Sequence, residues 1–311
     1  MSRFVKISVV AIEPIRTYQC PANMTLADYV LQLLQHSIQP VLWDRPDLIV
    51  LPENCDMLYG EPAENTRRLH EEIGDRVLQF LTRTAKAYGC YITYPSRIYM
   101  ADGSARNAVR MIDRVGQIIS TYHKNFTTVG ETLLDGVLCG REIPVFSCDF
   151  GRVCPIVCFD LNFEENRKRI KKLKPDITVF CSRFHGSFME NFFAHDTRSY
   201  FVSANCNLPS GIISPLGEQI AYTTNYFKYV TQQINLDYAV CHLDFNEEKL
   251  LAAKEKYGSK IKIHDPGLLG SVLLTSETTE FSVKRVLQEF EIEELDDYMA
   301  RARRHRKRYL E

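Results

Sequence analysis

Long apolar runs are missing from this sequence: no stretch approaches the roughly 18 residues that suggest a membrane span, so no membrane partner is expected. An excess of either charge is missing too. Lys and Arg number 38 against 39 Asp and Glu, for a net charge of −1. That balance gives no global pull towards nucleic acid or an anionic surface. Internal repeats and low-complexity linkers are absent, which argues against solenoids and tethered modules. In "MSRFVKISVVAIEPIRT" Glu13 and Arg16 follow a short apolar patch and no small-residue cleavage site appears; the segment is expected to be a first strand rather than an export signal. Cysteine is plentiful, at ten residues. They are scattered, mostly within apolar runs and without an export signal, so reduced thiols in a cytoplasmic protein are expected. Cys154 and Cys158 have no second Cys/His pair at ligand spacing, and no metal is expected. The sequons at 23–25 and 125–127 are read as chance.

The chain has 311 residues, 45% of them hydrophobic and 25% charged, enough for a sizeable core in one large domain or two smaller ones. Strand and helix patterns alternate. "KISVVAI" (6–12) and "DLIVL" (47–51) read as buried strands. Between them "TLADYVLQLLQHSI" (25–38) sets Leu26, Tyr29, Val30, Leu33 and Leu34 on one stripe, with Thr25 and Asp28 placed as a capping box. One longer helix is expected over "ENTRRLHEEIGDRVLQFLTRTAKAYGC", with Ile73, Val77, Phe80, Leu81 and Tyr88 on its apolar face and Gly89 as C-cap.

"YITYPSRIYM" and "ARNAVRMID" read as a hairpin through "ADGS", and "GQIISTYHK" as the next strand. A basic helix in "EENRKRIKKL", the strand "DITVFCS" (176–182) and a helix near 187–198 follow. Then come "YFVSANC", "SGIIS", a turn at "PLGE", "QIAYT", one strand in "YVTQQINLDYAVCHLDF" and the helix "NEEKLLAAKEKYG". Alternation first and hairpins later indicate an α/β protein with a mixed sheet. After "DPGLLGS" the chain reads as helical, with a basic end.

Three strand ends finish in a reactive residue: Glu53 after "DLIVLPEN", Lys124 in "ISTYHKN" and Cys158 in "CPIVCFD". Strand ends are where α/β sheets gather ligands and catalytic groups. Singly, each signal is weak. A carboxylate after a strand is commonly a cap, a lysine is commonly solvated, and a cysteine in an apolar run is commonly a core thiol. As a set they have coherent chemistry, because a thiol becomes a strong nucleophile when a base removes its proton. A carboxylate can be that base and a lysine can stabilise an oxyanion.

On these residues the sequence resembles the nitrilase, or carbon–nitrogen hydrolase, superfamily. "LIVLPE" is similar to its strand-then-Glu motif, "TYHKNFTTVGE" to its lysine motif, and "GRVCPIVCFDLNFEE" to its cysteine motif; "YFVSANC", "GIISPLGEQIA" and "HLDF" follow in order. The resemblance covers about residues 4 to 258. It implies a four-layer α-β-β-α sandwich of two mixed sheets flanked by helices, with a catalytic domain over 1–260 and a helical C-terminal extension over 261–311. It also implies that Glu53 is general base, Lys124 stabilises the oxyanion with the backbone N–H of Phe159, Cys158 is the nucleophile and Glu131 positions the lysine. The implied reaction is hydrolysis of a small amide or N-carbamoyl compound through a thioester, without cofactor. Nitrile hydrolysis, acyl transfer or a catalytically retired ligand-binding scaffold are the alternatives. The sequence departs from the family at Glu164, where a proline is usual.

Substrate contacts are expected after strand 176–182, where Arg183, Phe184 and His185 stand. Arg183 or Arg198 offers bidentate recognition of a carboxylate, although surface salt bridges account for either one. His185 and His195 are expected to be structural, and helical packing explains Phe188, Phe192 and Phe193 as well as a pocket does. The tail "RARRHRKRY" follows the acidic "EFEIEELDD", the order that the helix dipole prefers. It is read as a solvated helix, and no nucleic-acid partner is expected. The resemblance implies subunit association through the C-terminal segment, and the stripe Val283, Val286, Leu287 and Phe290 suits docking in a homodimer or larger assembly.

Overall fold

The computed structural model describes residues 1–206 and 209–310; Glu311, at the end of the expected C-terminal helix, lies outside them. The chain divides into two compact units, residues 6–233 and residues 1–5 with 234–311.

The first half of the larger unit alternates as the pattern predicts. Strand β1 (Phe4–Val10) leads to α1 (Leu26–Leu42), then β2 (Leu48–Val50), α2 (Ala63–Ile73), α3 (Arg76–Tyr88), β3 (Tyr91–Tyr99), β4 (Ala105–Ile112) and β5 (Ile118–His123). Thr25 caps α1, accepting the Asp28 N–H at 3.1 Å and donating its hydroxyl to the Asp28 carboxylate at 2.8 Å. The single helix expected after residue 64 is two. Gly74 takes φ 53° and ψ −132°, a conformation that suits glycine and ends α2. Gly89 does close α3, in the left-handed region at φ 63°.

Helix α4 (Val129–Leu133) opens the second half. Strand β6 (Phe146–Cys148), β7 (Gly151–Val157), α5 (Glu164–Leu173), β8 (Ile177–Ser182), α6 (Phe188–Thr197), β9 (Tyr200–Asn205), β10 (Gly211–Ile213), β11 (Gln219–Tyr222) and β12 (Tyr229–Asn235) follow. One sheet has the order β12-β1-β2-β3-β4-β5 and the other β11-β10-β9-β8-β7-β6. Both are mixed: β1, β2 and β3 run parallel and β3, β4 and β5 antiparallel, while β7, β8 and β9 run parallel beside antiparallel β6 and β10. The sheets face each other, β2 against β9 and β4 against β7. Helices α1 to α3 pack an apolar cluster that includes Leu34, Ile38, Val77 and Leu81 onto the outer face of the first sheet. Helix α6 covers β9 and packs beside α5 on the second. The four-layer α-β-β-α sandwich is therefore present.

The smaller unit holds β13 (Tyr238–His242), α7 (Glu247–Tyr257), β14 (Ile261–His264), β15 (Ser271–Ser276), α8 (Val283–Glu289) and α9 (Leu295–Arg308). Its antiparallel sheet has the order β13-β15-β14. The single strand expected over 229–245 is thus two, interrupted at Leu236 and Asp237, and the stretch after residue 260 contains strands as well as helices. The apolar stripe of α8 is also placed differently from the expectation. Val283, Val286 and Leu287 are buried in this unit's own core, with Phe290 packed against it, so they offer no free docking face. Among the described residues no helix is long and apolar enough to cross a membrane.

Candidate active site

The C-terminal ends of β2 and β5 in one sheet and of β7 and β8 in the other converge. Glu53 lies three residues beyond β2, Lys124 directly follows β5, Cys158 directly follows β7, and Arg183 directly follows β8. β2, β7 and β8 end where an apolar run stops, and β5, already polar at Ser120, Thr121 and His123, ends beside them.

Lys124 is among the largest fully buried side chains, 1% exposed, and Glu53 is 2% exposed. A buried ammonium costs several kcal/mol unless its partners are close and well oriented. Here Lys124 Nζ donates to Glu53 Oε1 at 3.1 Å and to Glu131 Oε1 and Oε2 at 3.0 and 2.8 Å. Burial works against the lysine's charge, but the charges of Glu53 and Glu131 outweigh it and hold Lys124 above its usual range. For Glu131, burial raises the carboxyl; the Lys124 charge, the Thr128 N–H and the Asn107 amide win, and its value is lowered.

A capping box fixes Glu131. Its N–H donates to Thr128 Oγ1 at 3.2 Å while its Oε2 accepts the Thr128 N–H at 2.8 Å. The motif that starts α4 therefore aims the carboxylate at the lysine.

Cys158 has φ 47°, a left-handed conformation that costs a non-glycine residue about 1–3 kcal/mol and persists only when its surroundings impose it. Asp160, completely buried, imposes it. Its Oδ2 accepts the Val157 N–H at 2.9 Å and the Tyr122 hydroxyl at 2.6 Å, and its Oδ1 accepts the Phe126 N–H at 2.9 Å. One carboxylate thus ties the turn around the cysteine to the strand and loop on either side of Lys124. Burial pushes Asp160 up to about 6, against the pull of these donors. Phe126 stacks on Phe163 at 3.8 Å, and Phe159 meets Phe163 edge-on at 5.1 Å, closing the same seam with aromatic rings.

The Cys158 thiol is pushed up to about 12, chiefly by burial and then by the Glu53 charge; Lys124, the Ser182 hydroxyl and the Arg183 N–H pull the other way. It is a protonated thiol at neutral pH and requires a base to become a nucleophile. The Arg183 N–H that meets this thiol also donates to Glu53 Oε2 at 3.1 Å. Cys154, by contrast, is fully buried within β7, and none of the ten cysteines is in a disulfide.

The structure thus brings Glu53, Lys124, Glu131 and Cys158 together, with Phe159 following the cysteine at the rim. Arg183 contributes its backbone, while its guanidinium lies over the Tyr59 ring at 5.4 Å. Phe184 is exposed. His185 Nδ1 accepts the Ser187 N–H at 2.8 Å, and its Nε2 lies 3.9 Å from Glu190 Oε2. Arg198 donates to the His195 carbonyl at the end of α6. Phe193 is buried, whereas Phe188 and Phe192 are exposed. Two residues of the cluster have no role in the sequence reading. Asn107 donates to Glu53 and Glu131 at 2.7 and 2.9 Å, and Asp160 holds the turn. A polar residue within an apolar strand and an acid two residues after the cysteine were the available signals.

The family description of carbon-nitrogen hydrolases matches residues 14–239. The chain is 29% identical over 169 residues to the hydrolase in the pqqF 5' region of Pseudomonas protegens, covering 53% of this chain and 58% of that protein. It is 30% identical over 121 residues to 2-oxoglutaramate amidase of Bacillus subtilis, covering 38% of this chain and 45% of that protein. The matches thus span about half the length of these curated relatives. In fold it is similar to Saccharomyces cerevisiae Nit3, a nitrilase-superfamily member, with a TM-score of 0.65 at 14% identity over 79% of this chain and 94% of that one. An amidase from Nesterenkonia sp. gives 0.62 at 14% identity over 75% and 90%. With the family match spanning most of its length and the sandwich in place, the chain belongs to the carbon-nitrogen hydrolase family.

Proposed function

We propose that the protein hydrolyses the carbon–nitrogen bond of a small amide or N-carbamoyl compound through a thioester on Cys158. The observation that carries this reading is the Arg183 N–H, which meets both the Cys158 thiol and Glu53 Oε2 at the buried end of the Lys124 cluster. It supports a base beside a thiol that needs one.

In the proposed reaction Glu53 takes the thiol proton as sulfur attacks the carbonyl carbon. Lys124 and the Phe159 N–H stabilise the negative charge that develops on oxygen. The protonated Glu53 then gives its proton to the leaving amine as the C–N bond breaks. Water, deprotonated by the same carboxylate, attacks the thioester; the acid is released and the thiol re-forms. Glu131 keeps Lys124 in place and charged throughout. All the groups are side chains and backbone of this chain, and no cofactor takes part in the scheme.

Amides are favoured over nitriles as substrates, in keeping with the amidase named among the relatives. The test is intact-mass spectrometry during turnover of a panel of small amides, N-carbamoyl amines and nitriles. An acyl adduct on Cys158 with release of amine or ammonia is expected from the amides or carbamoyl compounds. No adduct across the panel, with the protein folded, would return the chain to a ligand-binding role.

A further inference from the structure

Asn107 is completely buried in β4 and has no part in the reaction as written above. Its Nδ2 donates to Glu53 Oε1 at 2.7 Å and to Glu131 Oε1 at 2.9 Å, and its carbonyl accepts the Lys124 N–H at 2.8 Å. The acceptors fix which way the amide faces, since a flipped amide would set Oδ1 against two carboxylate oxygens. Among the described residues its Oδ1 is buried with no hydrogen-bond partner. A buried polar atom without a partner is a cost, and native structures tolerate few of them. Here the cost accompanies two bonds from one amide to two carboxylates.

Glu53 has two oxygens in different company. Oε1 accepts from Asn107 at 2.7 Å and from Lys124 at 3.1 Å, whereas Oε2 accepts the Arg183 N–H that also meets the Cys158 thiol. We propose that Asn107 is a positioning residue which sorts these oxygens, occupying Oε1 so that Oε2 is the one that takes the Cys158 proton. This rests on Glu53 being the general base of the proposed reaction. Asn107 acts through Glu53 and touches no reacting atom. A neutral donor can do this where another carboxylate cannot: the cluster already holds Glu53 and Glu131 against the single ammonium of Lys124, with the Cys158 thiol beside them. Removing the amide takes a donor from the ionised carboxylates, so that less of the cluster is ionised on the acid side, and it frees Glu53 to rotate away from the thiol.

The test needs no knowledge of the substrate. The rate of Cys158 alkylation by iodoacetamide is measured against pH by peptide mass mapping, which separates Cys158 from the other thiols. It is done in the full chain, in Asn107→Ala and in Asn107→Ser, where the smaller hydroxyl retains a donor. The acid limb belongs to the coupled cluster as a whole. It is expected to move up by about one pH unit in Asn107→Ala, slowing alkylation about tenfold on that limb, with Asn107→Ser in between. In a Glu53→Gln background, Asn107→Ala is expected to change the rate by less than about twofold, since the base it supports is gone. A folded Asn107→Ala protein with the parental profile overturns the proposal, as does an equal slowing with and without Glu53. If Asn107→Ala does not fold, Asn107→Ser carries the same comparison. A Cys158 no more reactive than the other buried thiols in the parent protein takes the general-base reading down with it; a reactive Cys158 with an unmoved profile removes only the role of Asn107.

Discussion

Arg183 donates its backbone N–H to Glu53 Oε2 across 3.1 Å, joining the strand end of one sheet to the carboxylate beyond a strand of the other. The same N–H meets the Cys158 thiol, so the proposed base and the proposed nucleophile share one donor that no side-chain substitution removes. Replacing the sulfur therefore separates chemistry from folding. Cys158→Ala is expected to lose turnover on any substrate the parent accepts, with an unchanged near-ultraviolet circular dichroism spectrum. Cys154→Ser is expected to keep turnover while losing about 1–3 kcal/mol of stability, because its hydroxyl would be buried within β7. Urea denaturation of the two variants checks both.

Lys124→Met removes a cation that is hydrogen-bonded to both Glu53 and Glu131. Two buried carboxylates left without their counter-charge are expected to cost about 3–5 kcal/mol. Turnover should be lost as well. A denaturation midpoint within error of the parent's would show that the pair carries no net stabilisation.

Glu131 gives the acid side of the stability curve a defined sign. Its carboxyl is lowered in the folded state, so the unfolded chain takes up the proton first as pH falls. The stability it contributes is complete above the unfolded value of about 4.3 and is lost as pH falls through the lowered folded value. The gap in melting temperature between the parent and Glu131→Gln is therefore expected to be widest above pH 5 and to narrow below pH 4. A gap that widens on acidification would reverse the assignment.

Asp160→Asn would keep one acceptor oxygen and set its amide N–H against either the Val157 N–H or the Phe126 N–H, which donate to different oxygens of Asp160. The loss expected is about 1–3 kcal/mol for each donor left unsatisfied, with Cys158 released from its left-handed conformation. Thermal melting reports the first effect. A drop in Cys158 alkylation selectivity over the other thiols reports the second.

Gly140 is pressed against the carbonyl of His123, and its N–H donates to the Lys124 carbonyl at 2.7 Å. A Cβ there would collide with backbone, so Gly140→Ala is expected to push the end of β5 away and to destabilise the protein by about 1–3 kcal/mol. Calorimetry checks it. An unchanged melting temperature would mean that the loop yields instead of the strand.

The meeting of Glu53, Lys124 and Cys158 is legible in the sequence because each stands just past the end of a strand, at the close of an apolar run for Glu53 and Cys158 and after the more polar β5 for Lys124. Glu164, the departure from the family at the cysteine motif, is explained by local geometry. It is the first residue of α5, a position that accepts proline because the N–H there has no helical partner. A carboxylate suits it equally through the helix dipole, and Glu164 also pairs with Lys168 at 2.9 Å. Asn107 was not legible. Strands covered on both faces lose the alternation that would reveal which way a side chain points, and its partners are 54 and 24 residues away in the chain. The break at Gly74 went unseen because the apolar period continues across it into α3. The α8 stripe looked available because a sequence shows that a helix has an apolar face and not what covers it.

Helix α4 is only five residues long, and isolated helices of that length do not hold together in water. Its persistence depends on Thr128 and on the ammonium that Glu131 grips. Fraying of this one turn would carry Glu131 away from Lys124, so the free energy of a local opening sets what fraction of molecules holds the complete charge cluster. Amide exchange at Glu131 and Thr132 would then be a direct gauge of how much of the protein is competent at any moment.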